Sequence, residues 1–303
     1  MSITPITAPS LQELAINAKE CCANGPISNL ILQGDYSISE IDSDFVKSFS
    51  EIAGKWQCRT LPSDLYFNHG QYIDRGGEPG RAFLVKELKR KPDSNRACFS
   101  LISMNDIVQS EDKPIPSFLV LQFSIVSHTI IEVTAYFRVI EVSEFLPINL
   151  AEISDILRHL AEKFPKIESF SLTIFAFRAY LKIGFSCLTK SILDMTSPVD
   201  IAIAVENKDV KKIIQMLEGK LNTVDSIICI KGLETLLEAI EKSTKKYGDD
   251  LKKHLRLAIS SSRELIEMRK SSSYSERILE KQSRINKSLE QAIALLQSLE
   301  KST

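Results

Sequence analysis

Ser117, set between Pro116 and Phe118, is the hydroxyl in this sequence to test first for nucleophilic chemistry. A serine hydroxyl does not ionise usefully without a positioned general base. No histidine or carboxylate lies beside it in sequence to serve as one. Cys98 is a softer nucleophile, because a thiol ionises far more easily. It belongs to a different predicted strand, where a packed free thiol is the simpler reading. Asn149 directly precedes a predicted helix, with Glu152 three residues on. That spacing suits an N-cap, whose side-chain oxygen accepts from the first free backbone amides. His69, His128, His159 and His254 are scattered without metal-ligand spacing, and solvent-exposed or capping roles suit them. Residues 76–80 (Gly-Gly-Glu-Pro-Gly) lack the Lys-Ser/Thr of a phosphate-binding loop. They read as a flexible loop. Tyr66 and the single tryptophan, Trp56, read as packing residues.

The elements that must position these groups come from an ordinary globular composition. The chain has 303 residues, with 44% hydrophobic and 25% charged residues and a formal net charge of -1. Such a balance gives no electrostatic case for a nucleic-acid partner. No stretch reaches the roughly 18 apolar residues of a membrane span. The N-terminal residues lack the basic and then apolar run of a signal peptide. The six cysteines, Cys21, Cys22, Cys58, Cys98, Cys187 and Cys229, form no CxxC pair. They read as free thiols of a reducing cytoplasm, with adjacent Cys21 and Cys22 as buried thiols on a helix. No metal and no cofactor is expected.

Residues 9–23 predict a helix capped by Ser10, with Glu13 completing a capping box. Residues 29–32 read as a short strand and Gly34-Asp35 as a turn. Helices are expected over 43–52 and 81–90, the latter facing the core with Phe83, Leu84 and Leu88 and ended by Pro92. A long loop is expected over 66–80 and another over 110–116. Residues 97–104 predict a strand, and 118–126 with 130–139 a hairpin rich in β-branched and aromatic residues. Residues 150–164 read as an amphipathic helix. The apolar run 169–179 reads as a strand buried on both faces.

After about residue 200 the pattern becomes helical. The clearest stretch carries Ile278, Gln282, Ile285, Leu289, Ala292, Leu296 and Leu299 at alternating spacings of four and three, a heptad seam. That seam must be buried against another helix: one of this chain, the same helix of a second copy, or a partner protein. The expected organisation is an α+β domain over 1–200 and a helical domain over 201–303.

Several short motifs occur in a set order: Pro92-Asp93-Ser94-Asn95-Arg96, Pro116-Ser117, Gln122-Phe123, Tyr136-Phe137-Arg138 and Leu146-Pro147-Ile148-Asn149. In order and spacing they resemble the central part of the thymidylate synthase and deoxycytidylate hydroxymethylase family, over residues 60–180. The resemblance implies a mixed sheet with flanking helices and a homodimer formed by back-to-back sheets. It implies a pyrimidine-nucleotide site shared between subunits, with Arg96 and Arg138 on the phosphate and Asn149 on the base. The family's nucleophilic cysteine corresponds to Ser117, and the histidine after it to Phe118. Arg96 alone remains of the family's arginine pair, and Glu141 stands for a family aspartate.

These substitutions set the functional expectation. The chain reads as a catalytically inactive relative, a dimeric scaffold or a nucleotide-sensing regulatory subunit whose helices at 201–303 oligomerise or bind a protein partner. The alternative is an active enzyme on pyrimidine monophosphates, with Ser117 or Cys98 as nucleophile and Glu141 or His69 as base.

Overall fold

The computed structural model describes residues 4–74, 79–110, 115–182, 189–224, 229–271 and 276–301. The chain forms two compact units. One comprises Met1–Pro62, Phe67–Ser110 and Pro114–Ile183. The other comprises Ser63–Tyr66, Glu111–Lys113 and Gly184–Thr303. The division therefore falls at 183/184 rather than at 200, and a short segment far upstream belongs to the helical unit. The two glycines at 76 and 77, residues 111–114, Cys187 and the serines at 272 and 273 lie outside the described residues.

The first unit is α+β. Its elements in order are β1 (Ile6–Thr7), α1 (Leu11–Cys21), β2 (Ile27–Ser37), α2 (Asp44–Trp56), α3 (Gly70–Ile73), α4 (Gly80–Arg90), β3 (Cys98–Ser100), α5 (Met104–Ser110), β4 (Phe118–Ser127), β5 (Ile130–Phe137), β6 (Ile140–Glu141), α6 (Phe145–Lys163) and β7 (Ser169–Tyr180). The strands form one mixed seven-stranded sheet in the order β1-β2-β7-β5-β4-β3, with β6 beside β7. The predicted hairpin is β4 and β5, antiparallel with Leu121 opposite Ala135 and Phe123 opposite Val133. β5 and β7 run parallel, joined through α6.

Burial alternates along the strands, as the period of two requires. Leu30 and Leu32 of β2, Leu121 and Phe123 of β4, Val133 and Ala135 of β5, and Leu172 and Ile174 of β7 are buried. Helix α1 packs on β2, and α2 packs on α6. The intervening strand residues form the opposite face, which carries Ile31, Gln33, Tyr136, Thr173, Phe175 and exposed Phe177. The expectation that β7 is buried on both faces is thus corrected. It is a central strand with one covered face, and its outer phenylalanines imitate a doubly buried run.

Local chemistry explains the other boundaries. Ser10 caps α1, its hydroxyl accepting from the Glu13 amide at 3.2 Å. The same helix buries Leu11, Leu14, Ala15 and Ala18. Of its adjacent cysteines only Cys22 is buried, its thiol pushed up to about 11 by that burial, whereas Cys21 is exposed. Gly34-Asp35 is no turn. It continues β2, because the Tyr36 ring lies back over Gly34 where any Cβ would collide with it. The strand expected over 97–104 stops at Ser100 and gives way to α5. Helix α6 begins five residues before the predicted start, so Pro147 lies in its first turn, where a missing amide costs nothing.

The second unit is helical: α7 (Ile192–Met195), α8 (Pro198–Glu206), α9 (Val210–Leu221), α10 (Lys231–Lys242), α11 (Asp249–Ser271) and α12 (Glu276–Lys301). Ser197 caps α8, with Pro198 at its start, and Asp209 caps α9. Leu193, Ile201, Ala204 and Val205 join the helical core, which is why this unit begins before residue 200. The heptad seam lies on α12. Ile278, Gln282, Ile285, Leu289, Ala292 and Leu296 are buried, and Leu299 is partly so. Its partners are α11 and α9 of the same chain. The seam is therefore the spine of an intrachain bundle.

Candidate functional site

The residues singled out by sequence fall into three places in the first unit. Arg96 is exposed and precedes β3. Its charge acts on Glu87, which also accepts from Arg90 at 3.0 Å and from the hydroxyl of Ser94. Together these donors hold the Glu87 carboxyl down to about 2. Arg138 follows β5 at the other end of the sheet. Its guanidinium donates to the carbonyls of Pro116 at 3.2 Å and Ile115 at 3.0 Å, while its amide donates to the Ser117 carbonyl at 2.9 Å. The Phe123 amide donates to the Ala97 carbonyl, so β4 measures the spacing of the two arginines. From 117 to 123 is six residues, on the order of 20 Å along a strand. One chain therefore does not bring Arg96 and Arg138 together on a single phosphate.

Ser117 is half-buried, and among the described residues its hydroxyl has no hydrogen-bond partner. The next side chain, Phe118, turns into the core. It stacks on Phe137 with ring centroids 4.5 Å apart and meets the edge of His69 at 5.8 Å. Glu141, a candidate base by sequence, is buried with both oxygens occupied. Oε1 accepts from the Ser143 amide at 2.9 Å, the Ser143 hydroxyl at 2.7 Å and the Lys182 amide at 3.1 Å. Oε2 accepts from the amides of Glu144 at 2.8 Å and Phe145 at 3.2 Å. Glu141 therefore satisfies the free amides at the start of α6, the capping task expected of Asn149.

Asn149 is not an N-cap, since it lies one turn inside α6 and is fully buried. Its amide donates to Glu152 Oε2 at 2.8 Å, a bond that the three-residue spacing allows on one helix face. The same carboxylate holds His69, with Nδ1 at 2.8 Å from Oε1 and 3.0 Å from Oε2. A carboxylate only accepts, so Nδ1 is the protonated ring nitrogen. His69 is 1% exposed and Glu152 0%. The solvent-exposed or capping role expected for His69 is thus corrected: it is a core residue in a buried pair. The imidazole is walled by Trp56 at 5.0 Å and Phe67 at 6.5 Å, with Phe145 packed edgewise on the indole at 4.9 Å. Gln57, next to Trp56, donates to the Glu152 carbonyl at 2.8 Å. Sequence reasoning missed this pair because 83 residues separate its members. The signal present was Glu152 itself, a carboxylate in the middle of an otherwise apolar helix face.

Carboxylate and imidazole together are two parts of an acid–base relay. Among the described residues, the third part, a nucleophile in hydrogen-bond reach of the ring, is absent. The position next to the ring is taken by the phenyl group of Phe118.

A second buried polar centre lies in the helical unit. Lys220 and Asp194 are each 2% exposed in their side chains and pair at 2.7 Å. Asp194 Oδ2 also accepts from the Tyr66 hydroxyl at 3.1 Å and the Ser191 hydroxyl at 2.8 Å. The Lys220 ammonium donates a further bond to the Cys229 carbonyl. Burial, and then the charge of Asp194, pushes the ionisation of the Tyr66 phenol far upward. Tyr66 thus ties the segment Ser63–Tyr66 to the helices, helped by a bridge between Leu65 and Thr189. Its packing role, expected from sequence, is seen here with a hydrogen bond added.

Among the described residues no group of three or more His, Cys, Asp or Glu side chains is arranged to hold a metal ion, and no helix is long and apolar enough to cross a membrane. No protein-family model matches the chain, and no characterised protein matches it in sequence.

Proposed function

We propose that this chain is a non-catalytic scaffold that pairs with a second copy through the open face of its sheet, as the resemblance to the thymidylate synthase family implies. One observation carries the reading. The groups that could serve a pyrimidine-nucleotide site are consumed in internal packing: the Asn149 amide by Glu152, the His69 edge by Glu152 and Phe118, and the Arg138 guanidinium in part by two backbone carbonyls. A relay without a nucleophile supports no C5 chemistry at the ring, and Ser117 has no base beside it.

The open face supports the pairing. Tyr136 stacks on Phe175 with centroids 5.3 Å apart, and Phe177 beside them is 63% exposed. An exposed aromatic group flanked by Thr173 and Gln33 is suited to burial against a like surface. The helical unit at the C-terminal end is then the part available to oligomerise further or to bind a protein partner.

Light scattering coupled to gel filtration tests this. The wild type is expected to elute as a dimer, and Phe177→Glu combined with Tyr136→Glu as a folded monomer. A monomeric wild type would sink the scaffold. Calorimetric titration with dUMP and dCMP separates the nucleotide-sensing version, since saturable binding at millimolar ligand would reinstate it.

A further inference from the structure

The helical unit contains a cavity of about 260 Å³ lined by Lys208, Val210, Lys211, Lys246, Tyr247 and Leu299, together with Asp209 and Glu300. Lys208 from the α8–α9 link, Lys246 from the α10–α11 link and Lys211 from the first turn of α9 therefore line one concavity. Two carboxylates oppose them, one in an ion pair and the other bonded to a backbone amide. Asp209 accepts from the Lys212 amide at 3.1 Å as the cap of α9, and Glu300 lies 3.7 Å from the Lys211 ammonium. Among the described residues, Lys208 and Lys246 form no ion pair. Three ammonium groups thus face two carboxylates around a shared hollow, and the net positive charge that remains favours the entry of an anion.

The rest of the lining is apolar. Val210, Leu299 and the body of Tyr247 supply it, and the Tyr247 hydroxyl is already committed to the Val205 carbonyl at 2.7 Å. That phenol is pushed up to about 12, so it adds no negative charge near neutrality. Lys208 reaches the rim from a backbone with φ of 52°, a left-handed turn that glycine or asparagine would occupy at lower cost. The volume lies just below the range of drug-sized sites, which limits the occupant to a small molecule.

From this lining we infer that the cavity is a binding site for a small phosphate monoester, its phosphate held by Lys208 and Lys246 and its organic part resting on Tyr247 and Leu299. Lys211 is held back by Glu300 and contributes less. This site is independent of the sheet face and of the nucleotide positions discussed above.

Calorimetric titration of the full chain with phenyl phosphate, inorganic phosphate and phenol tests the assignment. Phenyl phosphate is expected to bind with a dissociation constant in the millimolar range or below, several-fold tighter than inorganic phosphate, and phenol not at all. Lys208→Ala with Lys246→Ala should weaken it by about tenfold or more, the worth of one or two charge-assisted bonds. Glu300→Gln should tighten it by releasing Lys211, a gain that misfolding cannot produce. No saturable binding at about 10 mM, or equal affinity in wild type and double variant, overturns the site. Equal affinity for phenyl phosphate and inorganic phosphate overturns the monoester assignment in favour of free phosphate.

Discussion

Each unit buries one carboxylate against one basic side chain, and the two solve the problem differently. In the α/β unit, Glu152 receives His69 and Asn149 within an aromatic enclosure of Trp56, Phe67 and Phe118. Both donors there can stay neutral, and the carboxylate is shared between an imidazole edge and an amide. In the helical unit, Asp194 Oδ2 receives a full ammonium from Lys220 and two hydroxyls, while Oδ1 is buried with no hydrogen-bond partner among the described residues. Desolvating two ions costs several kcal/mol each unless the pair and its remaining bonds are kept together. The helical unit therefore has more to lose from the removal of one partner. A polar centre built on one charge tolerates damage better than one built on two.

The largest expected effect tests that directly. Lys220→Met strands Asp194 as an uncompensated buried charge and should cost about 3–5 kcal/mol of stability. Urea denaturation of the full chain followed by circular dichroism measures it. The paired change Lys220→Met with Asp194→Leu should recover most of the loss, because it removes the charge along with its partner. A double variant as unstable as the single one would break the comparison.

A smaller loss is expected for Glu152→Leu. It leaves two buried donors, His69 Nδ1 and the Asn149 amide, without an acceptor, each at the lower end of about 1–3 kcal/mol. The same denaturation experiment should rank it at or below Lys220→Met. The reverse order would break the comparison between the two centres.

The smallest effect concerns Glu87, a carboxylate on α4 bonded to Arg90 and Ser94. Its folded-state value of about 2 lies below its ordinary 4.5. The lowering means that protons bind the unfolded chain more readily. Its contribution to stability is therefore complete above about pH 5 and is lost as the pH falls toward 2. Carbon-detected NMR titration of the side chain should place the midpoint well under 4, and Ser94→Ala should raise it. A midpoint at the ordinary carboxylate value would leave the two buried pairs as the sole polar anchors of interest.

What was legible in the sequence was local or periodic. Ser10 with Glu13 marks the start of α1, the hairpin shows in β-branched and aromatic residues, and the seam of α12 shows in its spacing. The α+β class and the helical C-terminal region followed from these. What was hidden depended on distant contacts. Gly34 reads as a turn until Tyr36 is seen lying over it. His69 reads as a surface residue until Glu152 comes to meet it across the fold. Asn149 with Glu152 reads as a cap because the spacing is right, yet Glu141 does the capping and the asparagine is turned inward. The segment Ser63–Tyr66 carries no sign of its membership in the helical unit, since that depends on Tyr66 finding Asp194. Only the strand register reveals how far apart Arg96 and Arg138 stand along β4.

Trp56, described above as one wall of the His69 enclosure, is the single indole in the chain. Its emission is therefore an optical signal belonging to the α/β unit alone, while far-ultraviolet ellipticity is weighted toward the long helices of the other. Loosening of the α/β unit can thus be watched through its own indole, without a label and without cutting the chain.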